Sequence, residues 1–568
     1  MSPNTPHPNP LNVPQAMSLA LQHHQAGRLT EAETLYRRII DQQPDCADAW
    51  HLLGVIAAQA GKEREGIELM NRAVRLNPNS AVYYVNLSIA LVKTQQSEAA
   101  ANAAQNVIRL DPTNADAWNN LGVALKDLGR LDDSLAAYRR TLAIRPEDNQ
   151  AASNIIFTML FHPAYDASAI YQELQLWRAR YADELKNFIQ PHHNDRDPQR
   201  RLKIGYVSPD FFSHSQSFFM LPLLQNHDHR QFEIVCYSRT QLADYRTEQI
   251  RRCADVWRDV QNKNPAQIAE QIYRDRIDIL VDLTMHMANS NLLIFARKPA
   301  PVQVTWLAYP GSTGLDVINY RFTDPYLDPP GLDDAYYSEE SFRLPDTFWC
   351  YDPLIDESRA SEFGINDLPA LKNGYITFGC LNNFCKINQG VLQLWAKVFA
   401  AISNSRLLLL TPKGQGRREL LDNFSKLGVD PKRVELADFS PRVEYLRLYH
   451  RIDIGLDTVP YNGHTTSLDS FWMGVPVVTL IGKTVVGRAG WSQLSNLGLG
   501  ELATKTPEEF VDVVSHLAND LSRLKELRTG LRRRIQQSPL MDAKRFAGNL
   551  ESAYRRMWQK WCSSGSPA

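Results

Sequence analysis

Apolar positions along this chain follow two rhythms. Up to about residue 150 they recur at helical spacing in paired segments, and from about residue 201 short apolar runs alternate with amphipathic stretches. In the first region the markers repeat every 34 residues: Pro44, Pro78, Pro112 and Pro146, then Trp50, Tyr84 and Trp118, and the turn glycines Gly27, Gly61 and Gly129. The pairs Leu53-Gly54 and Leu121-Gly122 keep the same phase. That is the tetratricopeptide pattern, which predicts paired helices stacked into an all-α superhelix over 15–150. Asn86, Asn120 and Asn154 share the period, while Leu52 and Ser18 hold the earlier positions. Equivalent positions project alike, so the three amides are expected along one groove, ready to bond the backbone of an extended acceptor peptide. Hydrogen bonding between repeats is the other use open to them.

The second rhythm predicts buried strands at 203–208, 232–237, 277–283, 302–307, 376–380, 406–410, 433–436, 452–457 and 475–480, separated by helices. Strands alternating with helices imply parallel sheets covered on both faces. The expected order is a helical connector and polar linker at 151–200, one doubly wound Rossmann-like half at 201–370 and a second at 371–540. A C-terminal helix within 541–568 is expected to pack back across the assembly. No G-x-G-x-x-G follows the first strand, so neither a nicotinamide nor a flavin cofactor is expected.

Composition narrows the class. The 568 residues carry a formal net charge of −1, which argues against a nucleic-acid footprint. Seven cysteines without a C-x-x-C pair point to reduced thiols in a cytoplasm, not to disulfides or a zinc site. No apolar run is long enough to span a bilayer, so no membrane partner is expected. Residues 1–14 hold five prolines and are expected to form a flexible leader.

Candidate chemistry gathers where strands end. The stretch 456–480 reads as strand, loop, helix and strand, and its His464, Thr465 and Thr466 open a helix that carries Asp469. A helix start offers free N–H groups and the positive dipole end to a phosphate, and Gly463 allows close approach. An ordinary N-cap at Thr465 is the plainer alternative. Lys386, in the loop after strand 376–380, supplies a compact charge for a phosphate and is expected in a solvent-accessible cleft. Arg442 and Tyr445, after Ser440 in DFSP, suit a base or ribose. In the first half, Asp210 with His214, then His286, then the turn YPGSTG at 309–314, stand at strand ends facing a cleft.

Taken together, the repeats, GYVSPDF-x-x-H, WLAYPGSTG and PYNGHTTSLDSFWMGVPVVT resemble the protein O-GlcNAc transferases, over almost the whole chain. The resemblance implies a GT-B fold, two Rossmann-like halves behind a tetratricopeptide array. It implies an inverting, metal-independent transfer of GlcNAc from UDP-GlcNAc to Ser or Thr hydroxyls of proteins, with no cofactor. In that family's terms His464, Thr465 and Thr466 hold the pyrophosphate, Asp469 reads the ribose, and Lys386 meets the leaving phosphate. His214, with Asp210 beside it, faces the sugar and acceptor. Leu307, Pro310 and Gly311 line the sugar site, and Asn383, Ser440, Arg442 and Tyr445 complete the donor site. Asn383, Arg442 and Tyr445 stand where animal enzymes have glutamine, lysine and histidine, and an apolar residue near Ile156 replaces a further histidine. Plant relatives of the same architecture transfer fucose from a guanosine donor, so another nucleotide sugar is the alternative. A repeat adaptor over an inactive transferase fold is the other.

Overall fold

The computed structural model describes residues 12–355 and 362–564. Two compact units divide the chain: one runs to Pro146, and the other begins at Glu147, apart from the loop 412–414. The proline-rich leader lies outside the described residues up to residue 11, and the first helix, Val13–Gln25, takes in its last two positions.

The first unit alternates helices of 13 and 14 residues, from Val13–Gln25 and Leu29–Gln42 to Ala115–Asp127 and Leu131–Ile144. The repeat markers have visible duties. The indoles of Trp50 and Trp118 each donate to the carbonyl of the proline six residues earlier, Pro44 and Pro112, at 2.9 Å. A Cβ on Gly122 would lie 2.5 Å from the ring of Tyr138, so the glycine lets the two helices of a pair approach. The turn glycines Gly27, Gly61 and Gly129 have φ between 74 and 77°, and in the repeat without a glycine Gln95 takes φ 57°. Two of the three periodic asparagines serve neighbouring repeats. Asn86 donates to the buried His51 Nε2 at 2.9 Å, and Asn120 donates to Ser88 Oγ at 2.9 Å. Burial holds His51 down at about 4, so it is neutral and able to accept. Asn154 belongs to the second unit, where its Oδ1 accepts from Gln150.

The second unit contains two parallel sheets. Strands β1 (Leu202–Ser208), β2 (Phe232–Ser238), β3 (Val256–Asp259), β4 (Ile279–Asp282), β5 (Val302–Thr305), β6 (Tyr320–Thr323) and β7 (Glu340–Arg343) pair in the order 3-2-1-4-5-6-7. Strands β8 (Ile376–Cys380), β9 (Ser405–Leu410), β10 (Val434–Ala437), β11 (Ile454–Leu456), β12 (Val477–Leu480) and β13 (Ala503–Thr504) pair as 10-9-8-11-12-13. Both halves therefore reverse direction beside their first strand, between β1 and β4 and between β8 and β11. Such switch points are where open α/β sheets bind ligands, beyond the carboxyl ends of the strands.

Side chains lock the halves together. Arg488, 2% exposed, precedes the helix Ala489–Asn496 and reaches Asp333 at 2.5 Å and Asp328 at 3.2 Å. Asp328 also pairs with the buried Arg321 at 2.8 Å, and Arg321 Nε donates to the Gly311 carbonyl at 2.6 Å. The final helix, Ala543–Ser563, lies on the first half: Glu551 accepts from His227, and Trp558 Nε1 donates to the Asp197 carbonyl. Among the described residues no helix is long and apolar enough to cross a membrane.

Candidate active site

Three loops at the two switch points, after β1, β8 and β11, carry Asp210, His214, Asn383, Lys386 and the 464–469 segment, while Leu307, Pro310 and Gly311 follow β5 and Ser440, Arg442 and Tyr445 follow β10. The loop after β11 is folded around Asp457, which is 4% exposed and accepts from the Thr458 and Gly463 amides and the Thr479 hydroxyl at 2.7–2.8 Å. Burial raises its pKa, and these donors oppose that. Asn382, from the loop after β8, donates to Asp457 and to Thr458 Oγ1, and its own Oδ1 accepts from Thr466 Oγ1. A Cβ on Gly463 would displace the Ser467 and Thr466 hydroxyls, so the glycine keeps these groups in place at the start of the helix Thr465–Trp472.

That helix starts at His464 with no side-chain cap, so Thr465 is not the ordinary N-cap that the sequence allowed. Its first turn keeps its donors and its positive dipole end for another partner. His464 packs on Trp349 and Tyr461 and is held well below the usual histidine range by burial and by Lys386. It is neutral, with Nε2 directed at the Val486 carbonyl.

Lys386 departs from expectation. It is not an exposed loop lysine but is 8% exposed, with Nζ donating to the Asn462 carbonyl at 2.7 Å. Burial lowers its pKa to about 8, so at neutral pH it is a desolvated cation in most molecules.

Asp469, 1% exposed, is saturated. Arg442 donates to both of its oxygens at 2.5 and 2.6 Å, Tyr351 donates to Oδ1 at 2.5 Å, and Tyr445 to Oδ2 at 3.2 Å. A carboxylate offers about four acceptor sites, so all are taken. Arg442 also lies 4.4 Å from the ring centroid of Phe218, on the helix Ser217–Leu224 of the first half. Tyr351 and Phe218, from the first half, thus contact Asp469 and Arg442 of the second.

In the loop after β1, Asp210 is partly buried, which raises its pKa, while nearby His214 opposes the shift. The Gln216 amide points at His214 Nδ1, at 3.4 Å. The turn at 309–314 is clamped by the buried Glu339, which accepts from the Ser312 hydroxyl and from the amide and hydroxyl of Thr313. Leu307 has φ 78°, and Pro310 and Gly311 are buried beside it. His286 is fully buried and donates to the Thr313 carbonyl, which makes it part of this clamp. Asn383 and Ser440 stand exposed at the cleft's loops, without the contacts that tie down Asn382. Among the described residues no group of three or more His, Cys, Asp or Glu is placed to hold a metal ion.

Sequence reasoning missed Asn382, Asp457, Tyr351, Phe218 and Tyr461. Asn382 carried a signal as the neighbour of Asn383, and Asp457 and Tyr461 lie inside the 456–480 stretch, but Tyr351 and Phe218 carried none.

Comparison with known proteins bears on the same residues. The model of glycosyl transferase family 41 matches 182–354 and 366–550, and that of the cytochrome c-type biogenesis protein H TPR domain matches 15–152. A Petunia hybrida protein named probable UDP-N-acetylglucosamine–peptide N-acetylglucosaminyltransferase SPINDLY is 38% identical over 438 residues, 75% of this chain and 46% of that protein. The corresponding Arabidopsis thaliana protein named SEC is 31% identical over 65% of this chain and 38% of its own length. This chain spans about half the length of the SPINDLY relatives. A solved structure of a mutant Thermobaculum terrenum O-GlcNAc transferase is 34% identical, with TM-score 0.77, over 97% of this chain and 98% of that one. With repeats, two parallel sheets and the strand-end loops all matched, the chain belongs to glycosyl transferase family 41.

Proposed function

We propose that this protein moves GlcNAc from UDP-GlcNAc to Ser or Thr hydroxyls of proteins by one inverting displacement, without metal or other cofactor. The acceptor oxygen attacks the anomeric carbon as the bond from that carbon to the diphosphate breaks. The diphosphate departs with the electron pair, and the hydroxyl proton passes to a base. The observation that carries this reading is the buried, cationic Lys386 bonded to the loop that opens an uncapped helix at Thr465. Together they form a preorganised site for charge growing on a leaving diphosphate. Relatives named for the same reaction support it.

In this reading His464, Thr465 and Thr466 hold the pyrophosphate, and Asp469 takes the ribose by exchanging one of its four hydrogen bonds. Arg442, Tyr445, Ser440 and Asn383 flank the nucleoside. Leu307, Pro310 and Gly311 wall the sugar, and His214 with Asp210 serves the acceptor side. Asn86, Asn120 and Asn154 contact the acceptor chain, and the reaction takes place in a cytoplasm. The test is mass spectrometry of a peptide library incubated with the purified protein and a panel of uridine and guanosine sugars, with and without EDTA. Hexosamine added to Ser or Thr from the uridine donor, at the same rate in EDTA, is expected. Transfer only from a guanosine donor, or only with added metal, contradicts the reading.

A further inference from the structure

Beside Lys386 lies a side chain that stands in the motif 460–479 but is given no role there. Tyr461 is 6% exposed, and its ring centroid is 4.1 Å from the Lys386 ammonium. Its other neighbours fix the ring plane: Phe161 stacks on it at 4.7 Å and 8°, and the His464 ring lies 4.7 Å away. Phe161 stands just beyond the helix Asn149–Met159, on a segment remote in sequence from both sheets. The Tyr461 hydroxyl has no hydrogen-bond partner among the described residues, so the ring face is what this residue contributes.

Lys386 needs such a face. Nζ has three donors, one is spent on the Asn462 carbonyl, and it makes no ion pair among the described residues. The titratable groups around it are Asp457 at the end of β11, Cys380 of β8, Cys385 on its own turn, His464 and Tyr461. Asp457 is committed to its loop donors, and His464 is neutral. A carboxylate in contact would hold the ammonium but repel a diphosphate. An aromatic face holds the cation and adds no net charge, and that attraction is strongest when water is excluded.

We propose that Tyr461, buttressed by Phe161, is a positioning residue that keeps the Lys386 ammonium charged and aimed at the donor diphosphate. This rests on the assignment of Lys386 to the diphosphate. The test is titration calorimetry with UDP and with inorganic pyrophosphate, from pH 6.5 to 9.5, on the unsubstituted protein and on Tyr461→Phe, Tyr461→Leu, Phe161→Leu and Lys386→Met. Melting temperatures are recorded alongside.

Tyr461→Phe keeps the ring and should bind within about twofold. Tyr461→Leu keeps apolar volume without the face. It should bind about tenfold more weakly at pH 8, with the alkaline loss of affinity moved about one pH unit lower. Phe161→Leu should move the same way by less. If Tyr461→Leu matches the unsubstituted protein in affinity and pH profile while Lys386→Met does not bind, the positioning role is wrong and the lysine assignment stands. If Lys386→Met binds normally, or if the unsubstituted protein binds neither probe, both are overturned. A weakened Tyr461→Leu with an unmoved pH profile also overturns the role, because a packing defect alone behaves that way.

Discussion

Lys386 and Asp469 show how much a single environment decides. With a pKa near 8, Lys386 is charged through neutral pH and loses its proton as pH rises through that value. A diphosphate binds the charged form, so binding raises the lysine pKa and takes up a proton. UDP affinity should be level from about pH 7 to 7.5 and fall roughly tenfold per unit above pH 8. Calorimetry in buffers of different ionisation enthalpy at pH 8 should show net proton uptake, and constant affinity to pH 9.5 would remove the lysine from the site. Asp469 presents the opposite situation, a carboxylate with no acceptor site to spare. Tyr351→Phe removes the donor contributed from across the cleft and frees one site for a ribose hydroxyl. UDP should then bind several-fold more tightly, since a net hydrogen bond is worth roughly 1 kcal/mol. Weaker binding would mean that Tyr351 instead holds Asp469 in its working position.

Among the elements, the repeat helices and central strands were legible in the sequence, because burial on both faces writes continuous apolar runs and the stacked helices write a strict period. Strands β3, β6, β7 and β13 were not. Val256–Asp259 and Glu340–Arg343 are half-exposed edge strands, Tyr320–Thr323 buries Arg321, and Ala503–Thr504 has two residues. Site loops at strand ends were found by their motifs. Their supports were not, because Tyr351 and Asp469 are 118 positions apart and neither signals the other. The repeat period gives a prediction of its own. Gln95 holds a left-handed turn that glycine holds in three other repeats, at a cost of about 1 kcal/mol. Gln95→Gly should raise the melting temperature of the repeats, and an unchanged or lower value would show that the Gln95 side chain contributes contacts of similar worth. Asn86 and Asn120 spend amide hydrogens on neighbouring repeats, so replacing both with Ala should cost roughly 1 kcal/mol each in stability. In the triple variant that adds Asn154→Ala, transfer to protein acceptors should fall further than donor hydrolysis by water. An equal fall in both would reduce the three amides to a structural role.

On the scale of the molecule, both sheets of the second unit reverse strand order at equivalent places, and Arg442 and Asp469 of one half contact Phe218 and Tyr351 of the other. In the proposed function, this site breaks a nucleotide sugar at its diphosphate, with Lys386 taking the charge. The most direct measurement is release of UDP from UDP-GlcNAc by the purified protein and by Lys386→Ala, each at saturating donor and matched fold by circular dichroism. Removing a charged contact made chiefly in the transition state costs on the order of 3 kcal/mol, more than a hundredfold in rate. UDP release by the unsubstituted protein that falls at least that far in Lys386→Ala is the result predicted here. No UDP release by the unsubstituted protein, or near-normal release by the variant, would contradict it.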